Sequence, residues 1–90
     1  MKKVVHLTSA HPRYDTRIFV KECRSLAAVF DVTLIVADGA GDELRDGVKI
    51  FDVGKPNGRK ERMLGTTRRV FEKALALDAA LYHLHDPELL

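Results

Sequence analysis

The side chains best suited to chemistry gather in two short stretches. The first is Ser9-Ala10-His11-Pro12-Arg13-Tyr14-Asp15-Thr16-Arg17, where a histidine and two arginines precede or open a helical pattern. Guanidinium forks beside the N–H groups of a helix N-terminus form an anion site. His11, Arg13, Asp15, Thr16 and Arg17 are therefore candidate contacts to a phosphate or polyhydroxyl substrate. The same residues also fit a plainer arrangement, with Asp15 only capping the helix and both arginines solvated. Residue types alone leave the two open.

The second stretch is His83-Leu84-His85-Asp86-Pro87. His83 and His85 are two apart on a strand and share a face. Such a pair invites a metal, but a zinc site needs three or four ligands. The further His and Asp of a metallohydrolase cluster are lacking, so neither metal nor cofactor is expected. His83 lies inside the strand and reads as a packed, hydrogen-bonded residue. His6, mid-strand near the N-terminus, reads as core. His85 stands at the strand end and is the candidate catalytic residue. There an imidazole can donate to a hydroxyl or phosphate, or move a proton. Asp86 is a candidate contact that also caps whatever helix follows.

These loops need strands and helices to hold them. Val4–Thr8 is apolar and β-branched, as a buried strand requires. Asp15 then caps a helix whose Phe19, Cys23, Leu26, Ala27 and Phe30 repeat on one face. Val32–Ala37 reads as a second buried strand and Asp38–Gly47 as a turn-rich connection. Val48–Val53 reads as a third strand of open order, because its connection is at the lower limit for a parallel crossover. Helical spacing returns from Glu61 to about Leu77, with Leu64, Thr67, Val70 or Phe71, Ala74 and Leu75 inward. Ala79–Leu84 completes a β-α-β-β-α-β order. That order predicts an α/β fold, Rossmann-like, with a mostly parallel sheet and helices on both faces. The first and fourth strands are then neighbours where strand order reverses, and both loops open into one crevice.

Composition narrows the function. Ninety residues, 46% hydrophobic and 31% charged, make at most one domain. A single cysteine, Cys23, allows no internal disulfide and fits a reducing compartment. The N-terminus is too short and polar for a signal peptide, and no apolar run reaches the ~20 residues of a membrane span. A cytoplasmic location is expected, with any membrane contact peripheral. Gly39-Ala40-Gly41 is no dinucleotide fingerprint, since it follows the second strand and leads into Asp42-Glu43. Neither a nucleophile elbow nor a phosphate-binding Gly-Lys-Ser/Thr loop is present. Lys55, Arg59, Lys60, Arg62, Arg68, Arg69 and Lys73 form a basic run opposed by Glu61 and Glu72. Arg59, Lys60, Arg62, Arg68, Arg69 and Lys73 could face an anionic membrane, though charge runs are more often solvated helix faces. Nucleic acid is not expected, because aromatic interleaving is absent.

Val4–Phe19, with Lys21-Glu22-Cys23 and Ser25-Leu26-Ala27, resembles the start of the bacterial family 4 glycosyltransferases of the GT-B fold. Tyr82–Leu90 resembles the end of their fourth strand. Asp15-Thr16-Arg17-Ile18-Phe19 and His83-Leu84-His85-Asp86-Pro87-Glu88 carry the likeness. The resemblance implies two Rossmann-like domains, the first mainly holding the acceptor. The second would hold the nucleotide-sugar donor and a paired-glutamate motif. It implies retaining transfer without a metal, His85 in the cleft near the reacting sugar, and a glycan or lipid-linked acceptor at the inner face of the membrane. The chain departs from many members in having His11-Pro12-Arg13-Tyr14 where they carry a Gly-Gly pair, so no donor-diphosphate contact is implied there.

Residues 1–90 then read as a partial N-terminal, acceptor-side domain, inactive without its donor-binding half. Asp86-Pro87-Glu88 opens a helix at the end of the chain, which also reads as a cut. A noncatalytic Rossmann-like binding or regulatory module is the alternative. A different α/β enzyme, such as an epimerase, would need the glycine-rich nucleotide loop that is missing.

Overall fold

The computed structural model describes residues 2–8, 13–55, 65 and 67–85. Strands β1 (Lys3–Leu7), β2 (Asp31–Val36), β3 (Glu43–Arg45), β4 (Val48–Asp52) and β5 (Leu81–Leu84) form one sheet in the order β3-β4-β2-β1-β5. All pairings are parallel except β3 with β4. The fold is α/β with a mostly parallel five-stranded sheet and two helices, compatible with a Rossmann-like arrangement but small and incomplete. Setting the short β3 aside, the order is the doubly wound one, and it reverses between β1 and β5.

Helix α1 begins at Thr16. Its first part, Thr16–Cys23, is wound as a π-helix and its last turn, Arg24–Leu26, as an α-helix. The Val20 N–H reaches the Asp15 carbonyl at 3.4 Å, and the Arg24 N–H donates to the Phe19 carbonyl. Bonds five residues apart widen the turn and bring Ile18 and Cys23 onto one face. Both are buried with Phe19, against Val32, Leu34, Val36, Val48 and Ile50. Leu26, Ala27 and Phe30 pack more loosely on the same cluster, as their spacing predicts. Ile18 lies off the face expected at ordinary α-helical pitch, and the wider winding is what turns it inward. Asp15 caps this helix as expected, accepting from the Arg17 and Ile18 N–H groups at 2.9 and 3.0 Å.

Helix α2 (Thr67–Leu77) covers the other face, where Val70 and Ala74 meet Val5, Leu7 and Ile35. The sheet is thus clad on both sides, which explains why β1 and β2 are buried at nearly every position. Leu75, expected inward, is 71% exposed. One residue past Ala74, it is turned about 100° away, onto the flank above the β5 edge. The expected helix start from Glu61, and Leu64, lie outside the described residues. Lys3 Nζ donates to the Leu77 carbonyl at 2.9 Å, capping the free end of α2.

The stretch expected to be only a connection, Asp38–Gly47, contains β3. Asp46 and Gly47 adopt φ of 51° and 81°, the mirror-image hairpin turn that joins β3 to β4. This settles the position of the third expected strand. The chain leaves β2, runs back down as β3 at the sheet edge, and returns as β4 between β3 and β2. A three-residue strand makes the return that a crossover helix otherwise makes, so the short connection suffices.

Candidate functional site

Parallel pairing of β1 with β5 sets His6 opposite His83, and His85 follows two residues later on the same face. His6 Nδ1 and His85 Nε2 lie 2.8 Å apart. The His83 and His85 rings stack with centroids 4.1 Å apart, and each lies 5.1 Å from the His6 ring. From α1, Glu22 brings a carboxylate oxygen to 3.5 Å from His83 Nδ1. Three imidazoles and a carboxylate from three separate elements therefore meet at the strand-order reversal.

His6 is 1% exposed, and its Nε2 is buried with no hydrogen-bond partner among the described residues. A buried N–H without a partner is rarer than a buried acceptor without one. His6 is accordingly the Nδ1–H tautomer, donating to His85 Nε2, with its lone pair on Nε2. Burial, then the neighbouring His85 and His83, hold the His6 pKa down at about 4. The ring is neutral at physiological pH, as an apolar setting demands.

His6 is buried, as its mid-strand position suggests, and it also joins the site. His83 is less packed than its place inside the strand suggests. The His83 side chain is 48% exposed, because β5 is an edge strand; Glu22 reaches it from α1.

Arg13 is likewise not a solvated arm, nor does it hold out a free fork for an anion. Its Nε and one terminal nitrogen donate to both Asp38 oxygens at 2.7 Å. That nitrogen also reaches the Gly41 carbonyl at 2.7 Å, and the other reaches Glu43 at 3.1 Å. Burial of the loop drives this: a guanidinium taken out of water needs its donors satisfied by charge and carbonyl oxygen. The bidentate Arg13 bond holds the Asp38 carboxyl below its ordinary range. Tyr14 reinforces the joint, donating its hydroxyl to Glu43, packing edge-on against Phe19 and lying under the Arg45 guanidinium. Together Arg13 and Tyr14 tie the start of α1 to the β2–β3 connection.

That connection is itself ordered by Asp52, whose carboxylate accepts from the Gly39, Gly41 and Gly54 N–H groups at 2.8–3.1 Å. Burial alone would raise the Asp52 pKa, but these backbone donors outweigh it and lower it.

Of the other expected contacts, Thr16 and Arg17 are exposed on the first turn of α1. His11 and Asp86 lie outside the described residues, as do Arg59, Lys60 and Arg62. Arg68 is exposed and pairs with Glu72 at 2.8 Å. Arg69 Nε donates to the Val53 carbonyl at 3.0 Å, and Lys73 lies 4.4 Å over the Phe51 ring. Two of these three cations are therefore drawn toward the sheet. Among the described residues, no helix is long and apolar enough to cross a membrane. On the α2 side, an apolar cavity of about 190 Å³ opens between Leu7, Phe71, Ala74, Leu75, Tyr82 and Leu84.

No protein-family model, curated protein or solved structure matches this chain.

His6 and Glu22 are the site residues that sequence reasoning missed. The only signal for His6 was positional. With β1 and β5 side by side and their ends level, His6 must face His83. Glu22 had none, since nothing in its polar helix face marks the one carboxylate that leans over β5.

Proposed function

We propose that this chain is the acceptor-side portion of a GT-B, family 4-type retaining glycosyltransferase. It would pass a sugar from a nucleotide-sugar donor to a glycan or lipid-linked acceptor. The observation that carries the reading is His85. It sits just past the end of β5, at the reversal of strand order where open α/β sheets bind ligands. Its Nε2 lone pair is taken by the buried His6 N–H. On this reading the His85 imidazole donates to a sugar hydroxyl or phosphate oxygen. His6 fixes both the tautomer and the ring plane, acting as a positioning residue.

The Arg13 joint supports the same reading. A wall braced by ion pairs keeps the crevice in shape before substrate arrives, which lowers the entropy cost of binding. On this reading the donor nucleotide belongs to a second α/β half encoded downstream, and the 90 residues alone neither bind it nor turn it over.

The gene beyond codon 90 is the first test. A continuation encoding a second β/α half with paired glutamates supports the reading. In that full-length protein, His85→Ala is expected to lower kcat with a nucleotide-sugar by about 100-fold or more. Full activity in that variant, or a stop codon near position 90, overturns it. The stop codon would favour a noncatalytic binding module.

A further inference from the structure

The geometry points to a zinc-type divalent metal site formed by His6, Glu22, His83 and His85. One ligand atom from each residue lies within 4.8 Å of every other. Three imidazoles with one carboxylate are a donor set for Zn2+, and equally unlike the all-oxygen sets that Mg2+ and Ca2+ take. The sequence argued against a metal because a His-x-His pair gives only two ligands. Folding supplies the other two, from β1 and from α1, and that objection falls.

The approach needed is small. Around a tetrahedral ion with Zn–N of 2.0–2.1 Å, ligand atoms sit about 3.3 Å apart. His6 and His85 already hold nitrogens 2.8 Å apart and need only separate slightly. Glu22 and His83, with side chains 30% and 48% exposed, can close in by rotating side-chain bonds over a fixed backbone. His6, the deepest ligand, is 1% exposed, and its Nδ1 lies 2.8 Å from His85 Nε2. To ligate through Nδ1 the ring takes the Nε2–H tautomer, so its proton moves within the ring. Cys23, the only thiol, is fully buried under α1 and is not part of the cluster.

The site stands whether or not the protein transfers sugar. It does bear on that reading, because a metal on His85 Nε2 replaces the His6 contact that orients the ring.

The test is calorimetric titration of ZnCl2 into the untagged, chelator-treated 90-residue chain, with MgCl2 as control. The expected result is one Zn2+ per chain and no heat from Mg2+. His83→Ala and Glu22→Gln alter exposed or half-exposed side chains and leave the core intact. Each should weaken Zn2+ binding by about tenfold or more. His6→Leu, which keeps an apolar side chain in the core, should weaken it at least as much. Absence of binding at millimolar Zn2+ overturns the proposal. So does binding that His83→Ala and Glu22→Gln leave unchanged, since the ion would then sit elsewhere. Neither result depends on sugar turnover, so failure here leaves the transferase reading to its own test.

Discussion

Arg13→Met removes every donor of the Arg13 fork while keeping most of its apolar stem. The Arg13 side chain is 8% exposed and makes contacts of 2.7, 2.7, 2.7 and 3.1 Å to Asp38, Gly41 and Glu43. A hydrogen bond to a charged group is worth about 1.5–3 kcal/mol, and stranding a fully buried partner costs about 3–5. Asp38 is 29% exposed on its side chain, so water recovers part of its loss. The expected cost is about 2–3 kcal/mol, below the fully buried limit. At about 5 °C per kcal/mol for a chain of this size, Tm should fall by about 10–15 °C. Urea unfolding of the 90-residue chain at neutral pH, followed by circular dichroism, reads the same loss as a shift in midpoint.

Acid supplies the internal control. The Asp38 pKa is lowered in the folded state, first by its hydrogen bonds from Arg13. Its stabilisation is therefore present above the ordinary carboxylate range and lost as pH falls through the depressed folded value. The stability gap between wild type and Arg13→Met should narrow over that interval. A cost below about 0.5 kcal/mol would place Arg13 among ordinary surface substitutions and refute the argument. So would a gap that stays constant into acid.

Three further outcomes follow from local geometry. Asp15→Ala should cost about 1 kcal/mol in urea unfolding, because the Arg17 and Ile18 N–H groups lose their acceptor. Gly47→Ala should cost about 1 kcal/mol through backbone strain alone, since φ is +81° while the added Cβ meets only Ala27 at an ordinary 3.5 Å. Cys23 is fully buried and its thiol is held up to about 12, so a thiol reagent at pH 8 should modify it only as fast as the chain opens. Rapid labelling in native buffer would contradict the placement of Cys23 under α1.

The fold was legible where one residue pattern has one physical solution. Val4–Thr8 and Val32–Ala37 are apolar at successive positions, which only a strand clad on both faces accommodates. Asp15 before a spaced apolar face left little choice of helix start. The pattern failed where the signal was short or the pitch unusual. Glu43–Arg45 has three residues and an exposed Leu44, so β3 shows no alternation to detect. Asp46-Gly47 was visible as a turn, yet its meaning as a hairpin depends on that unseen strand. Ile18 was not among the inward residues read at α-helical spacing, because the winding there is π.

The candidate site divides along the same line. By itself the sequence determined which residues are chemically able: the His-x-His at the end of β5, the arginines around the start of α1, a capping Asp15. Those are matters of residue type and local spacing, which chain order contains. Only the tertiary structure decided which of them work together. Parallel pairing carried His6 to its 2.8 Å contact with His85, 79 residues further along the chain. Helix packing brought Glu22 over His83. Burial turned Arg13 from an apparent anion grip into a brace on Asp38. Register, packing and desolvation are properties of contacts between distant segments, and no reading of neighbours along the chain contains them.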